Sequence, residues 1–234
     1  MKIFENVDQE EQAGNDTFLT KKMQRRNFLT YAGASAAGLA LVAAGCKKDR
    51  HDFNRGIDLG TGDIGILNYA YALEQLEAAF YTKVAASFYR NIPAEEEMLF
   101  KDIRDHEIAH REFFKEALGN SAIPALEVDF SSIDFTSRTS VLATAKAFED
   151  LGVSAYNGAG YLIENGAYLT IAGKIVSVEA RHAAYIRDLI TPGSFAGTDV
   201  VDANGLDKSR TPMEVLTIAK AYIKTEINAS NLPS

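Results

Sequence analysis

Residues 103–114 read IRDHEIAHREFF and residues 176–190 read VSVEARHAAYIRDLI, and the two stretches carry one frame twice. Each holds a Glu-x-x-His pair: Glu107 with His110, and Glu179 with His182. Downstream the frames still agree, with Phe113 matching Tyr185, Phe114 Ile186, Lys115 Arg187, Glu116 Asp188 and Leu118 Ile190. A carboxylate and an imidazole three residues apart lie on one face of a helix, about one turn apart. Two such helices facing each other bring two Glu and two His to a shared point, which is half of a dinuclear metal site in a four-helix bundle. The same pairs would also suit the exposed faces of amphipathic helices, so the motif alone is a hypothesis.

Working outward, a second echo supplies the other half. Glu74 precedes Tyr81 by seven residues in ALEQLEAAFY, and Glu149 precedes Tyr156 by seven in AFEDLGVSAY. A helix pair therefore occurs twice in the chain, and such repeats fix an architecture early. The expected elements are helix 1 over about 63–90 with Asp63 as N-cap, and helix 2 from Pro93 to a stop at Gly119. A crossover at 120–138 follows, then helix 3 over about 139–157 with a turn at Gly158 and Gly160. Helix 4 is expected over about 166–190, ending before Pro192, with close helix contact as the reason for Gly173. Thr211-Pro212-Met213-Glu214 is a capping box that opens a fifth helix to about 227. No strand pattern of any length competes.

The first 46 residues read as an address. Arg25-Arg26-Asn27-Phe28-Leu29 resembles a twin-arginine export signal, with Gln24 where Ser or Thr is usual. The apolar run 31–44 has the length of a signal core and is too short to span a membrane as mature structure. Ala44-Gly45-Cys46 resembles a lipoprotein cleavage box, with Ala43 where Leu is usual. Cys46 is the only cysteine, so no internal disulfide exists and its position favours lipidation. An uncleaved anchor is the alternative, and it too would place the domain outside the cytoplasm. Residues 47–61 read as a polar tether and 62–234 as the domain.

The export signal takes five basic and five acidic residues with it, so residues 46–234 keep the whole net charge of −8. An acidic surface argues against nucleic acid as a partner. The chain contains no Trp, and no stretch after residue 61 is long and apolar enough to span a bilayer.

The phrases ILNYAYALEQLEAAFY, IRDHEIAHREFF, AFEDLGVSAYNGAG and VSVEARHAAYIRDLI together resemble the ferritin-like superfamily, and more narrowly its exported bacterial members, which often carry twin-arginine signals. The resemblance implies an all-α four-helix bundle with a long crossover between helices 2 and 3 and an extra C-terminal helix. It also implies a metal-ligand set of Glu74, Glu107, His110, Glu149, Glu179 and His182, holding two iron or manganese ions. Glu77, one turn past Glu74, is the rival on helix 1; the match of Glu74–Tyr81 to Glu149–Tyr156 favours Glu74. Asp150 is a weaker rival to Glu149. His106 lies about 100° around the helix from Glu107, so it reads as a supporting or surface residue; His51 falls in the tether.

Four carboxylates and two imidazoles suit iron or manganese: carboxylates are hard, can bridge, and match two divalent cations in charge. Tyr81 and Tyr156 are candidate catalytic residues, able to hydrogen-bond a ligand; the competing reading makes them core aromatics with satisfied hydroxyls. With no cysteine after residue 46, this chain carries no rubredoxin-type centre, which argues against a self-contained electron-fed peroxidase.

The functional expectation is an exported, lipid-anchored dimetal oxidoreductase acting on Fe(II), oxygen or peroxide, in the periplasm or on the outer surface of the envelope. The alternatives are a metal-sequestering protein and a non-catalytic envelope stress or structural protein. The partners expected are metal ions, a small oxidant and, through the anchor, a membrane; a homodimer is compatible with the sequence.

Overall fold

The computed structural model describes residues 56–234. The expectations for Arg25, Arg26, Cys46 and His51 fall outside them. The described chain runs β1 (Ile57–Asp58), α1 (Gly62–Ala86), α2 (Ala94–Leu118), a short 3-10 turn (Gly119–Ser121), α3 (Arg138–Gly160), α4 (Gly166–Ile190), α5 (Pro212–Ala219) and β2 (Ile227–Asn228). The α1 and α2 helices fold back on each other across a short link, α3 and α4 do the same, and α1 also packs on α3. Among the described residues, no helix is long and apolar enough to cross a membrane.

The α1 helix is the centre of the bundle. It is buried without a break from Gly65 to Ala78, so it has no solvent face there. Two of its buried polar side chains tie down the crossover. Asn68 donates to the Leu59 and Ser121 carbonyls at 3.0 and 2.9 Å and accepts from the Ile123 N–H at 2.9 Å. Gln75 accepts from the Leu126 N–H at 2.8 Å. The crossover then drives Phe130 and Phe135 against Phe80, whose ring also meets Phe148 edge-on. These contacts close the end of the bundle beyond the Glu-rich turns of α1 and α3.

Charged pairs lock the helix ends. Arg187 of α4 is 3 % exposed and donates to Asp150 of α3 at 2.6 Å and to Asp199 of the following loop. Glu96, buried at the start of α2, accepts a two-nitrogen contact from Arg138 at the start of α3 and the hydroxyl of Tyr89. Two helix pairs are thereby fixed in register at the end distant from residue 62.

Several boundaries differ from those the sequence suggests. The α1 helix ends at Ala86, and Asp63 lies inside its first turn; Thr61 takes the N-cap position. The Asp63 carboxylate instead accepts from the Glu164 and Asn165 N–H groups at 2.8 and 2.9 Å, stapling the α3–α4 link to α1. Pro93 is the N-cap of α2, one position earlier than the helix itself. Gly158 and Gly160 belong to the last turn of α3. A Cβ at Gly158 would lie 1.8 Å from the Arg210 carbonyl oxygen, so this glycine allows a backbone crossing. Gly173 has no atom within 4 Å of its would-be Cβ, so close helix contact is not its reason.

The fifth helix stops at Ala219 although its sequence pattern runs on. The backbone beyond it is claimed by the crossover: Asp129 N–H donates to the Tyr222 carbonyl and Lys224 N–H to the Glu127 carbonyl, both at 2.8 Å. Next, Ile227–Asn228 pairs in parallel with Ile57–Asp58. This draws residues expected in the tether into the domain, and Leu59 is fully buried.

Candidate metal centre

Four helices each deliver carboxylates to one buried volume. The α1 helix supplies Glu74, α2 supplies Glu107 with His110, α3 supplies Glu149, and α4 supplies Glu179 with His182. All four of these Glu are fully buried, and His182 is 5 % exposed. The donor atoms form two overlapping sets, Glu74–Glu107–His110–Glu179 and Glu107–Glu149–Glu179–His182, each with all its atoms within 4.8 Å of one another. Glu107 and Glu179 belong to both.

In the first set, His110 Nδ1 lies 2.9 Å from Glu179 Oε1 and 3.5 Å from both Glu74 Oε2 and Glu107 Oε2. In the second, His182 Nδ1 lies 2.9 Å from Glu107 Oε1 and 3.4 Å from Glu149 Oε2. These separations are short, yet none has hydrogen-bond alignment. Glu74 Oε2, both oxygens of Glu107 and Glu179, Glu149 Oε2, and both Nδ1 atoms are buried without a hydrogen-bond partner. Buried polar atoms without partners are rare, and buried charges ordinarily pair or ligate a metal. Lone pairs that converge without bonding one another are the arrangement a cation requires.

The remaining carboxylate oxygens are held by tyrosines in a crossed pattern. Tyr81 of α1 donates its hydroxyl to Glu149 of α3, and Tyr156 of α3 donates to Glu74 of α1. The two heptad-spaced echoes are thus exchanged between helices. Each tyrosine fixes the carboxylate of the opposite repeat and leaves that carboxylate's other oxygen for the centre.

Electrostatics follow from the crowding. Burial pushes the Glu74 carboxyl up to about 7, against the pull of His110. Burial likewise raises Glu149, and raises Glu179 well above the usual carboxylate range with help from Glu107. Glu107 goes the other way: burial opposes its charge, but His110 and His182 outweigh burial and bring it down to about 2. Burial opposes a charge on His182, yet Glu149 and Glu107 raise it to about 11, and the surrounding carboxylates raise His110 as well. The cluster is therefore a strong attractor of positive charge, proton or metal.

Glu77 belongs to neither donor set. It is buried at 3 % exposure, and a Cβ at Gly152 would lie 3.0 Å from its Oε1 and 3.4 Å from Glu179 Oε2. Burial, then Glu179, pushes its carboxyl well above the usual range. Gly152 occupies, in the second repeat, the place that Glu77 holds in the first, so one repeat's extra carboxylate fills the other's missing side chain. That role of Gly152 was readable as a mid-helix glycine three residues after Glu149, but the sequence reading passed over it. Asp150, the rival to Glu149, is engaged by Arg187 instead. His106 is exposed, outside both sets, and in contact with His182.

Comparison with curated proteins found no match. A family model described as a ferritin-like domain matches residues 62–192, more than half of the chain, and the matched span holds α1 to α4 with all six donors. The chain belongs to the ferritin-like domain family.

Proposed function

We propose that this protein is an exported, lipid-anchored dimetal oxidoreductase that holds two iron or manganese ions and acts on Fe(II), oxygen or peroxide. The observation that carries the reading is the overlap of the two donor sets in Glu107 and Glu179. Glu74, Glu107, His110 and Glu179 would hold one ion, and Glu107, Glu149, Glu179 and His182 the other. Four carboxylates balance two divalent cations, and the hard oxygen donors with one nitrogen each favour iron or manganese. The metals supply one-electron chemistry and a place for a small oxidant. The chain's own residues supply the rest. Tyr81 and Tyr156 orient the two terminal carboxylates and hold a proton at Glu149 and Glu74. The aromatic layer of Phe80, Phe100 and Phe148 excludes water from that end. The signal-like segment with Arg25 and Arg26, and Cys46 behind it, place the protein on the envelope in this reading.

Metal analysis of protein isolated from the membrane fraction tests both halves. About two iron or manganese per chain, with peroxide consumption or Fe(II) oxidation, is the expected result. The Glu107→Ala/His182→Ala double variant should lose metal and turnover, and Cys46→Ser should move the protein to the soluble fraction. Metal bound without turnover would leave sequestration; no metal in the unsubstituted protein would sink the proposal.

A further inference from the structure

The repeat makes the two halves of the centre alike in their donors, but not in what stands behind the imidazoles. His106 Nδ1 lies 2.9 Å from His182 Nε2. The ring centroids are 5.1 Å apart and the planes within 8° of each other. A nitrogen contact that short at that centroid separation means that the rings meet edge to edge in nearly one plane. This is an in-line N–H···N hydrogen bond and not a face-to-face stack. When His182 ligates through Nδ1, Nε2 must carry the ring proton, so His106 accepts it. The partner then fixes both the tautomer and the ring orientation, and makes Nδ1 a better donor.

His110 has no such support. Among the described residues, no hydrogen bond reaches its Nε2, and its side chain is 13 % exposed. The reason is in the repeat: the position that corresponds to His106, 72 residues on, is Val178, which has no polar atom to offer.

We propose that His106 is a positioning residue that makes the two metal positions unequal, so that the Glu149–His182 position fills first and the Glu74–His110 position second. This rests on the dimetal reading above and deepens it. Loss of a hydrogen-bond partner behind a metal-ligating histidine typically weakens metal binding about 10- to 100-fold, and that is the difference expected between the two positions.

The test is titration of the chelator-treated full chain with Mn(II), following free Mn(II) by its paramagnetic resonance signal. The unsubstituted protein should bind two Mn(II) in two resolved steps. His106→Val, which gives the first half the residue of the second, should weaken the tighter step about 10- to 100-fold and merge it with the other. The looser step should not move. His106→Asn keeps a side-chain acceptor and should recover part of the tighter step, which a merely structural role for an exposed side chain would not explain. Two equal steps in the unsubstituted protein, or two steps unchanged in His106→Val, would overturn the proposal. Absence of any Mn(II) or Fe(II) binding in all three proteins would instead overturn the dimetal reading beneath it.

Discussion

Tyr81 and Tyr156 show how single atoms decide this centre. Each is fully or almost fully buried, and each hydroxyl has one partner, a carboxylate across the bundle. Burial and the neighbouring carboxylates push both phenols well above their ordinary range, so both hold their protons as donors. Tyr81→Phe leaves an oxygen of Glu149 without a partner, and Tyr156→Phe does the same to Glu74. Each change should cost about 1–3 kcal/mol in denaturant unfolding, the usual cost of stranding a buried polar atom. A change under a few tenths in both would contradict the crossed geometry. The sequence showed these tyrosines as echoes of Glu74 and Glu149, and the two Glu-x-x-His pairs were legible because three-residue spacing has one meaning on a helix. What it did not show was the exchange of partners between repeats, because a heptad says which face a residue is on and not which helix it meets. Gly152 was missed, and His106 was left between a supporting and a surface place, for the same reason: both matter through contacts made 25 or more residues away.

The helices were legible wherever the apolar period and the caps agreed. Thr211 and Glu214 form the capping box that their spacing predicts. The α4 helix has the expected span, with Asn165 capping its start. The errors lie where tertiary partners override a local pattern. Asp63 has an N-cap's chemistry but serves the α3–α4 link, and the residues after Ala219 give up helix to pair with the crossover. The two-residue strands were invisible because pairing so short leaves no period to read. Arg187 shows what the elements require of one another. It sits five residues beyond His182 on the same helix and ties α4 to α3 through Asp150. Arg187→Ala leaves Asp150 half-buried and unpaired, a loss of about 3–5 kcal/mol for a broken buried pair. Thermal or denaturant unfolding of the variant should show it, while Arg181→Ala on the exposed face of α4 should stay within about 0.5 kcal/mol.

At the scale of the molecule, a bundle that buries this many acids should resist folding unless cations enter it. Glu74 is raised from its ordinary value to about 7, and Glu149, Glu179 and Glu77 are raised too. A raised carboxyl keeps its proton in the folded chain after the unfolded chain has lost it, so it weakens the fold as pH climbs from about 4.5 towards 7. His182, raised to about 11, acts in the same sense: its contribution is complete below the ordinary histidine value and is lost as pH rises through 11. Within the buried cluster Glu107 alone, lowered to about 2, favours higher pH, and its contribution is gained between 2 and its ordinary value. Chelator-treated protein should therefore lose melting temperature steadily from pH 5 to pH 9. Mn(II) or Fe(II) should restore it and release protons on binding, since the imidazoles must give up theirs. A melting temperature that rises over that range without metal would contradict the assignment. The most direct test of the central claim is anomalous diffraction from crystals of the metal-loaded protein. The account predicts two peaks about 3.5–4 Å apart, the spacing of two-metal sites, both touching Glu107 and Glu179, one beside Glu74 and His110 and the other beside Glu149 and His182. A single peak, or two peaks that do not share those carboxylates, would contradict it.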